Sequence, residues 1–129
     1  MTTNQISTYR VRNWANHFEN ARTRTLDNMN WIPVPNKHDG EGFRTTMAQP
    51  DGISLYGAWH LILQVSSKCH PRGTLVRSDG TPVSAKVIAI KTGAKVECIE
   101  RALTFLSTEI DWLERLTKPN DTQVIPECH

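Results

Sequence analysis

The sequence predicts an α+β fold, mainly helical, with a helix-turn-helix at its centre. Three observations carry this. Tyr56–Lys68 (YGAWHLILQVSSK) places Ala58, Trp59, Leu61, Ile62, Leu63 and Val65 on nearly every side, which marks a helix covered by other elements. In Ala94–Thr108 and just beyond, Val96, Ile99, Leu103, Leu106 and Ile110 recur at steps of 3, 4, 3 and 4, a one-sided stripe that leaves Glu97, Arg101, Thr104 and Thr108 facing outward. Between the two, a short apolar segment ends at Thr92-Gly93, the kind of corner that joins paired helices.

In chain order, residues 1–8 are polar and expected to fray, and Tyr9-Arg10-Val11-Arg12 alternates as a short strand does. Asn13 is placed to cap a short helix with Trp14, Phe18 and Ala21 on one side. Asn20–Asn30 reads as a polar loop carrying Arg22 and Arg24. Trp31–Lys37, held extended by Pro33 and Pro35, and Phe43–Met47 read as the arms of a β-hairpin turning at Asp39-Gly40. Gln49–Gly52 is a turn into the central helix, which Cys69-His70-Pro71 stops. Arg72–Arg77 is extended and Ser78–Pro82 turns.

Val83–Lys91 fits a helix by the spacing of Val83, Val87 and Ile90, and a strand by its β-branched content. A capping serine at Ser84 and a terminating glycine at Gly93 favour the helix. Ile110–Leu116 either continues the preceding helix or forms a strand around Trp112. The expected organisation is one domain over residues 1–116, with the hairpin extension at about 9–47, and a polar tail or linker over 117–129.

The totals agree with a single core: 129 residues, 38% hydrophobic, four tryptophans. A formal charge of +2 is too small to argue for nucleic acid by itself, although Arg72–Lys95 carries five Lys/Arg against Asp79 alone. Three widely spaced cysteines (Cys69, Cys98, Cys128) do not make a disulfide framework. The N-terminus lacks an apolar signal core and no stretch approaches the roughly 20 apolar residues of a membrane span, so the expectation is a cytoplasmic protein with no membrane partner.

The pattern of two helices about a glycine corner puts Ala94–Thr108 in the position of a recognition helix. Arg101 and Thr104 are then candidate readers of base edges, and Lys91, Thr92 and Lys95, beside the helix N-terminus, candidate phosphate contacts. Arg72 and Arg77 on the preceding segment could hold the backbone from a second side. Glu97 and Glu100 oppose this, since they repel phosphate unless paired. Cys69-His70 and Cys128-His129 are adjacent pairs, poorly spaced for a tetrahedral zinc site, and no metal or cofactor is expected. Gly-rich phosphate loop, HExxH, GxSxG and CxxC are all missing, and Asp111 with Glu114 or His38 with Asp39 reads as surface charge, so no catalytic site is expected.

The run Trp31–Phe43 (WIPVPNKHDGEGF), Gly57-Ala-Trp59, Arg72-Gly-Thr-Leu75, Lys91-Thr-Gly93 and Trp112-Leu-Glu114 resembles the N-terminal domain of phage and prophage replisome organisers, the DnaD-like replication initiators. The resemblance covers about residues 9–116 through scattered short matches. It implies a winged helix-turn-helix with an additional N-terminal β-hairpin, a recognition helix at Ala94–Thr108, and binding to origin DNA, expected double-stranded, or homo-oligomerisation. It further implies a separate C-terminal domain that contacts a helicase or its loader. The alternative within this shape is a protein–protein module, with Trp14, Trp31 and Phe43 as anchors.

Overall fold

A computed structural model describes residues 5–34 and 40–119. Along the chain run β1 (Gln5–Val11), α1 (Trp14–His17), a 3-10 turn (Thr23–Thr25), α2 (Glu41–Met47), α3 (Gly52–Ser67), α4 (Ala85–Thr92), α5 (Val96–Thr108) and β2 (Leu113–Pro119). The class is α+β, with helices dominating and a two-stranded antiparallel sheet.

The central helix is α3, starting four residues before the predicted span. Ala58, Trp59, Ile62, Leu63 and Val65 are all buried, as their all-round distribution requires. Helix α5 buries Ile99, Leu103 and Leu106 against it and keeps Glu97, Arg101, Thr104 and Thr108 exposed. Helix α4 is a helix and not a strand: the Ser84 hydroxyl accepts from the Val87 N–H at 3.2 Å, and Gly93 closes it at φ 81° with its N–H donating to the Ala89 carbonyl at 2.8 Å. A residue with a Cβ would be strained in that left-handed conformation. Helices α3, α4 and α5 pack on one another in a tri-helical core.

The open question at Ile110–Leu116 resolves against helix: Ile110–Trp112 is irregular and a strand begins at Leu113. β2 pairs antiparallel with β1 in the register Val11↔Leu113 through Gln5↔Pro119, so the predicted strand at Tyr9 is real and longer. On its other edge β1 meets the segment after α3: the Val11 N–H donates to the Gly73 carbonyl, the Leu75 N–H to Tyr9, and the buried Thr8 hydroxyl to Leu75 at 2.7 Å. Aromatic rings continue the core beneath the sheet, Trp14 stacking on Phe18, Phe18 edge-on to Trp59, and Trp59 against Trp112 at 5.2 Å.

The N-terminal hairpin is the principal correction. Its second arm, Phe43–Met47, lies within helix α2, and Trp31–Val34 is in no strand. Tertiary contacts select the helix: Thr46 is fully buried, its hydroxyl satisfied one turn back by the Gly42 carbonyl at 2.8 Å, and Phe43 meets Tyr56 edge-on at 5.2 Å. Gly42 fits beneath the Trp112 indole, where a Cβ would come within 2.6 Å of Nε1. Residues 35–39, the end of the predicted first arm and the start of its turn, lie outside the described residues; of the predicted tail over 117–129, residues 117–119 belong to β2 and 120–129 lie outside the described residues. A smaller correction concerns Ala21, which is exposed and does not share a face with buried Trp14 and Phe18, because α1 is only four residues long.

Candidate nucleic-acid interface

The predicted DNA-contacting residues fall in four places. Lys91 and Lys95 bracket the α4–α5 corner, both exposed. Lys95 is the N-cap of α5 and makes no side-chain cap; the Cys98 N–H is taken by the Lys95 carbonyl at 3.0 Å, and Glu97 stands in the same first turn. The helix start and the lysine suit an anion electrostatically, and the first-turn Glu97 opposes it. Thr92 is committed to the corner itself: its hydroxyl donates to the Ile88 carbonyl at 2.8 Å and accepts from the Ala94 N–H at 3.3 Å.

On the outward side of α5, Thr104 is exposed and its carbonyl accepts from Ser107 and Thr108. Arg101 is exposed too, but it leans over the Phe105 ring, Cζ 5.2 Å from the centroid, and reaches the start of α3. There Nε and Nη2 donate to the two Asp51 carboxylate oxygens at 3.0 and 3.1 Å. The hydrogen bond from Arg101 holds the Asp51 carboxyl below its ordinary pKa. Glu97 and Glu100 remain exposed with no ion pair among the described residues, so the outward face of α5 carries net negative charge.

Arg72 is a correction. The expected backbone contact is turned inward: Nη1 donates to Glu19 Oε1 at 2.9 Å and to the Thr23 carbonyl at 3.0 Å, and Nη2 donates to the Leu26 carbonyl. Its side chain is 13% exposed and that of Glu19 8%. Glu19 also accepts from the Trp14 indole at 2.5 Å, so the pair fastens the 14–26 segment to the end of α3. Arg72 cannot reach a ligand without unmaking that junction.

Arg77 goes elsewhere again. With Lys91 and Thr92 it lines a groove of about 980 Å³ between the C-terminal half of α3, the turn at Arg77–Thr81 and α4. The sequence reading missed two further basic groups in this groove, Lys68 and His70, which serve there only to end the helix. No local signal could have found them, because Lys68 and Lys91 are brought together by the packing of α3 on α4. No carboxylate lines the groove, and Asp79, two residues from Arg77, feels that arginine's charge from the adjoining turn. Cys69 lies in the same wall, buried, its thiol pKa raised by that burial, while His70 beside it is exposed, so the two do not converge on one point. Among the described residues no group of three or more His, Cys, Asp or Glu could hold a metal ion, and no helix is long and apolar enough to cross a membrane.

The second concavity, of about 290 Å³, is walled by Phe18, Phe43, Tyr56, Trp59 and Trp112. Asn13 and Asp111 sit on its rim, each at φ 57°, and the Arg12 side chain donates to the Asp111 carbonyl. Glu114, the other carboxylate near Trp112 in sequence, points to the sheet surface and pairs with Arg10 across the strands at 2.7 Å, so the two acids form no dyad. No known family model, no characterised protein and no solved structure matches the chain.

Proposed function

We propose that the chain is a winged-helix DNA-binding domain of the phage-type replication-initiator kind, acting without catalysis, in which α5 approaches a groove of duplex DNA. One observation supports this most: α4 and α5 meet at the Gly93 corner on α3, the hydrophilic side of α5 faces outward, and Lys91 and Lys95 flank the corner. In this reading β2 with β1 takes the wing's place beside the recognition helix. Lys91, Lys95 and the N-terminus of α5 hold phosphate, Thr104 faces the bases, and Arg101 does so only by leaving Asp51. Contact with a helicase or loader through a further domain belongs to the same proposal, as does a cytoplasmic setting.

The test is binding of labelled duplex and single-stranded DNA across a salt series. Lys95→Ala should weaken every duplex alike and flatten the slope of log K against log[salt] by about 1. Arg72→Ala, where folded, should leave that slope unchanged. Loss of neither affinity nor slope in a Lys91→Ala/Lys95→Ala variant overturns the placement.

The acidic outward face of α5, with Arg101 neutralised by Asp51, favours a second reading: self-association or docking of a protein through this same shape. Light scattering over a concentration series, showing an oligomer without DNA affinity, would support that reading and exclude the first.

A further inference from the structure

We infer that the groove between α3 and α4 is a docking site for an acidic amphipathic helix of a partner protein. Leu61 and Val65 of α3, Val83 before α4, and Val87 and Ile90 of α4 supply its aliphatic wall. Ile90 is 73% exposed, an unusual position for isoleucine within a helix whose other side already packs the core through Ile88 and Ala89. Around this wall stand Lys68, His70, Arg77 and Lys91, with no carboxylate among the lining residues.

That combination selects the occupant by chemistry. A duplex brings phosphates to the basic rim but nothing to cover exposed Ile90 and the half-buried Leu61 and Val87 beside it, Val65 and Val83 being buried already. An amphipathic helix with acidic flanks satisfies both, burying its apolar stripe on the wall and setting carboxylates against the rim. The walls favour a helical guest over an extended one, because they are two turns of α3 and the length of α4, and strand addition requires a free sheet edge. A second copy of this chain is a poorer fit: the outward side of α5 is acidic, but its apolar stripe is already buried on α3. The groove shares Lys91 with the DNA reading, whereas Lys95 and the N-terminus of α5 lie outside its lining.

The probe is a fluorescein-labelled synthetic peptide of about four helical turns, with leucines at i, i+3, i+4 and i+7 and glutamates on both flanks. Its control has every glutamate replaced by lysine. Fluorescence anisotropy with the full chain should show binding of the acidic peptide and none of the lysine peptide. Lys68→Glu/Arg77→Glu should weaken binding by roughly tenfold or more through like-charge repulsion. Ile90→Ala, at an exposed position that leaves the core intact, should weaken it several-fold without changing the salt dependence. The inference is overturned by no binding of the acidic peptide, by equal binding of both peptides, or by unchanged affinity in the charge-reversed and Ile90 variants. Protection of the groove by concentration-dependent dimerisation would overturn it in favour of a second copy.

Discussion

At the scale of single residues, the cations divide by what surrounds them. Arg72 is spent on the protein's own frame, and its removal strands a carboxylate. Arg72→Met should cost about 3 kcal/mol or more in urea unfolding, because Glu19 would stay buried without its cation. Arg72→Met/Glu19→Gln should recover part of that loss. Two glycines make opposite predictions. Gly73 sits at φ 86° with the Trp14 ring 2.6 Å from where a Cβ would go, so Gly73→Ala should destabilise by more than about 1 kcal/mol. Gly57 lies exposed on α3 with open space around it, so Gly57→Ala should raise stability by up to about 1 kcal/mol. The same urea series measures both.

At the scale of elements, α5 is fastened to α3 at two depths. Ile99, Leu103 and Leu106 fix the helix in the core, and Arg101 ties its surface to Asp51 at the start of α3. The depressed Asp51 pKa means that the ion pair contributes above the ordinary carboxylate range and is lost as pH falls through the lowered midpoint. An NMR titration of the carboxyl groups should place Asp51 below its ordinary value in the wild type. In Arg101→Ala it should rise toward that value; an unmoved midpoint would refute the pairing. The legibility of the elements follows the same division. Helices α3, α4 and α5 could be read directly, since each carries its own periodicity or caps. Helix α2 could not: Glu41–Met47 has a glycine, two threonines and only the one apolar pair Phe43 and Met47, and its conformation comes from packing Gly42 under Trp112 and Phe43 on Tyr56. The candidate site divides likewise. Lys91 and Lys95 were legible because a turn fixes both, whereas Arg72 has its acidic partner 53 residues away.

At the scale of the whole molecule, β1 precedes all five described α-helices and β2 follows them, so the sheet closes the fold end to end. Val11 and Leu113 face each other in that sheet at 1% and 0% exposure, beneath the aromatic core. The chain should therefore unfold as one unit, with near-UV and far-UV circular dichroism changing together in urea. Ending the chain at Ile110 removes β2 and Trp112, and the truncated protein should keep helical far-UV signal while losing its near-UV spectrum and sharp transition. A truncated chain that unfolds as cooperatively as the full one would show the sheet to be dispensable.

The charge distribution separates at this same scale, with lysine, arginine and histidine along the α3–α4 groove and uncompensated glutamates on the outer side of α5. The sequence by itself determined the helical core, its glycine corner and the exposed side of α5, because spacing and capping are interactions among neighbours along the chain. Only the tertiary structure decided that Arg72 faces inward, that Arg101 is held by Asp51, that residues 41–47 are helical, and that Lys68 and His70 join Arg77. Those outcomes depend on burial, ion pairing and ring contacts between residues far apart in the chain, which local pattern does not encode.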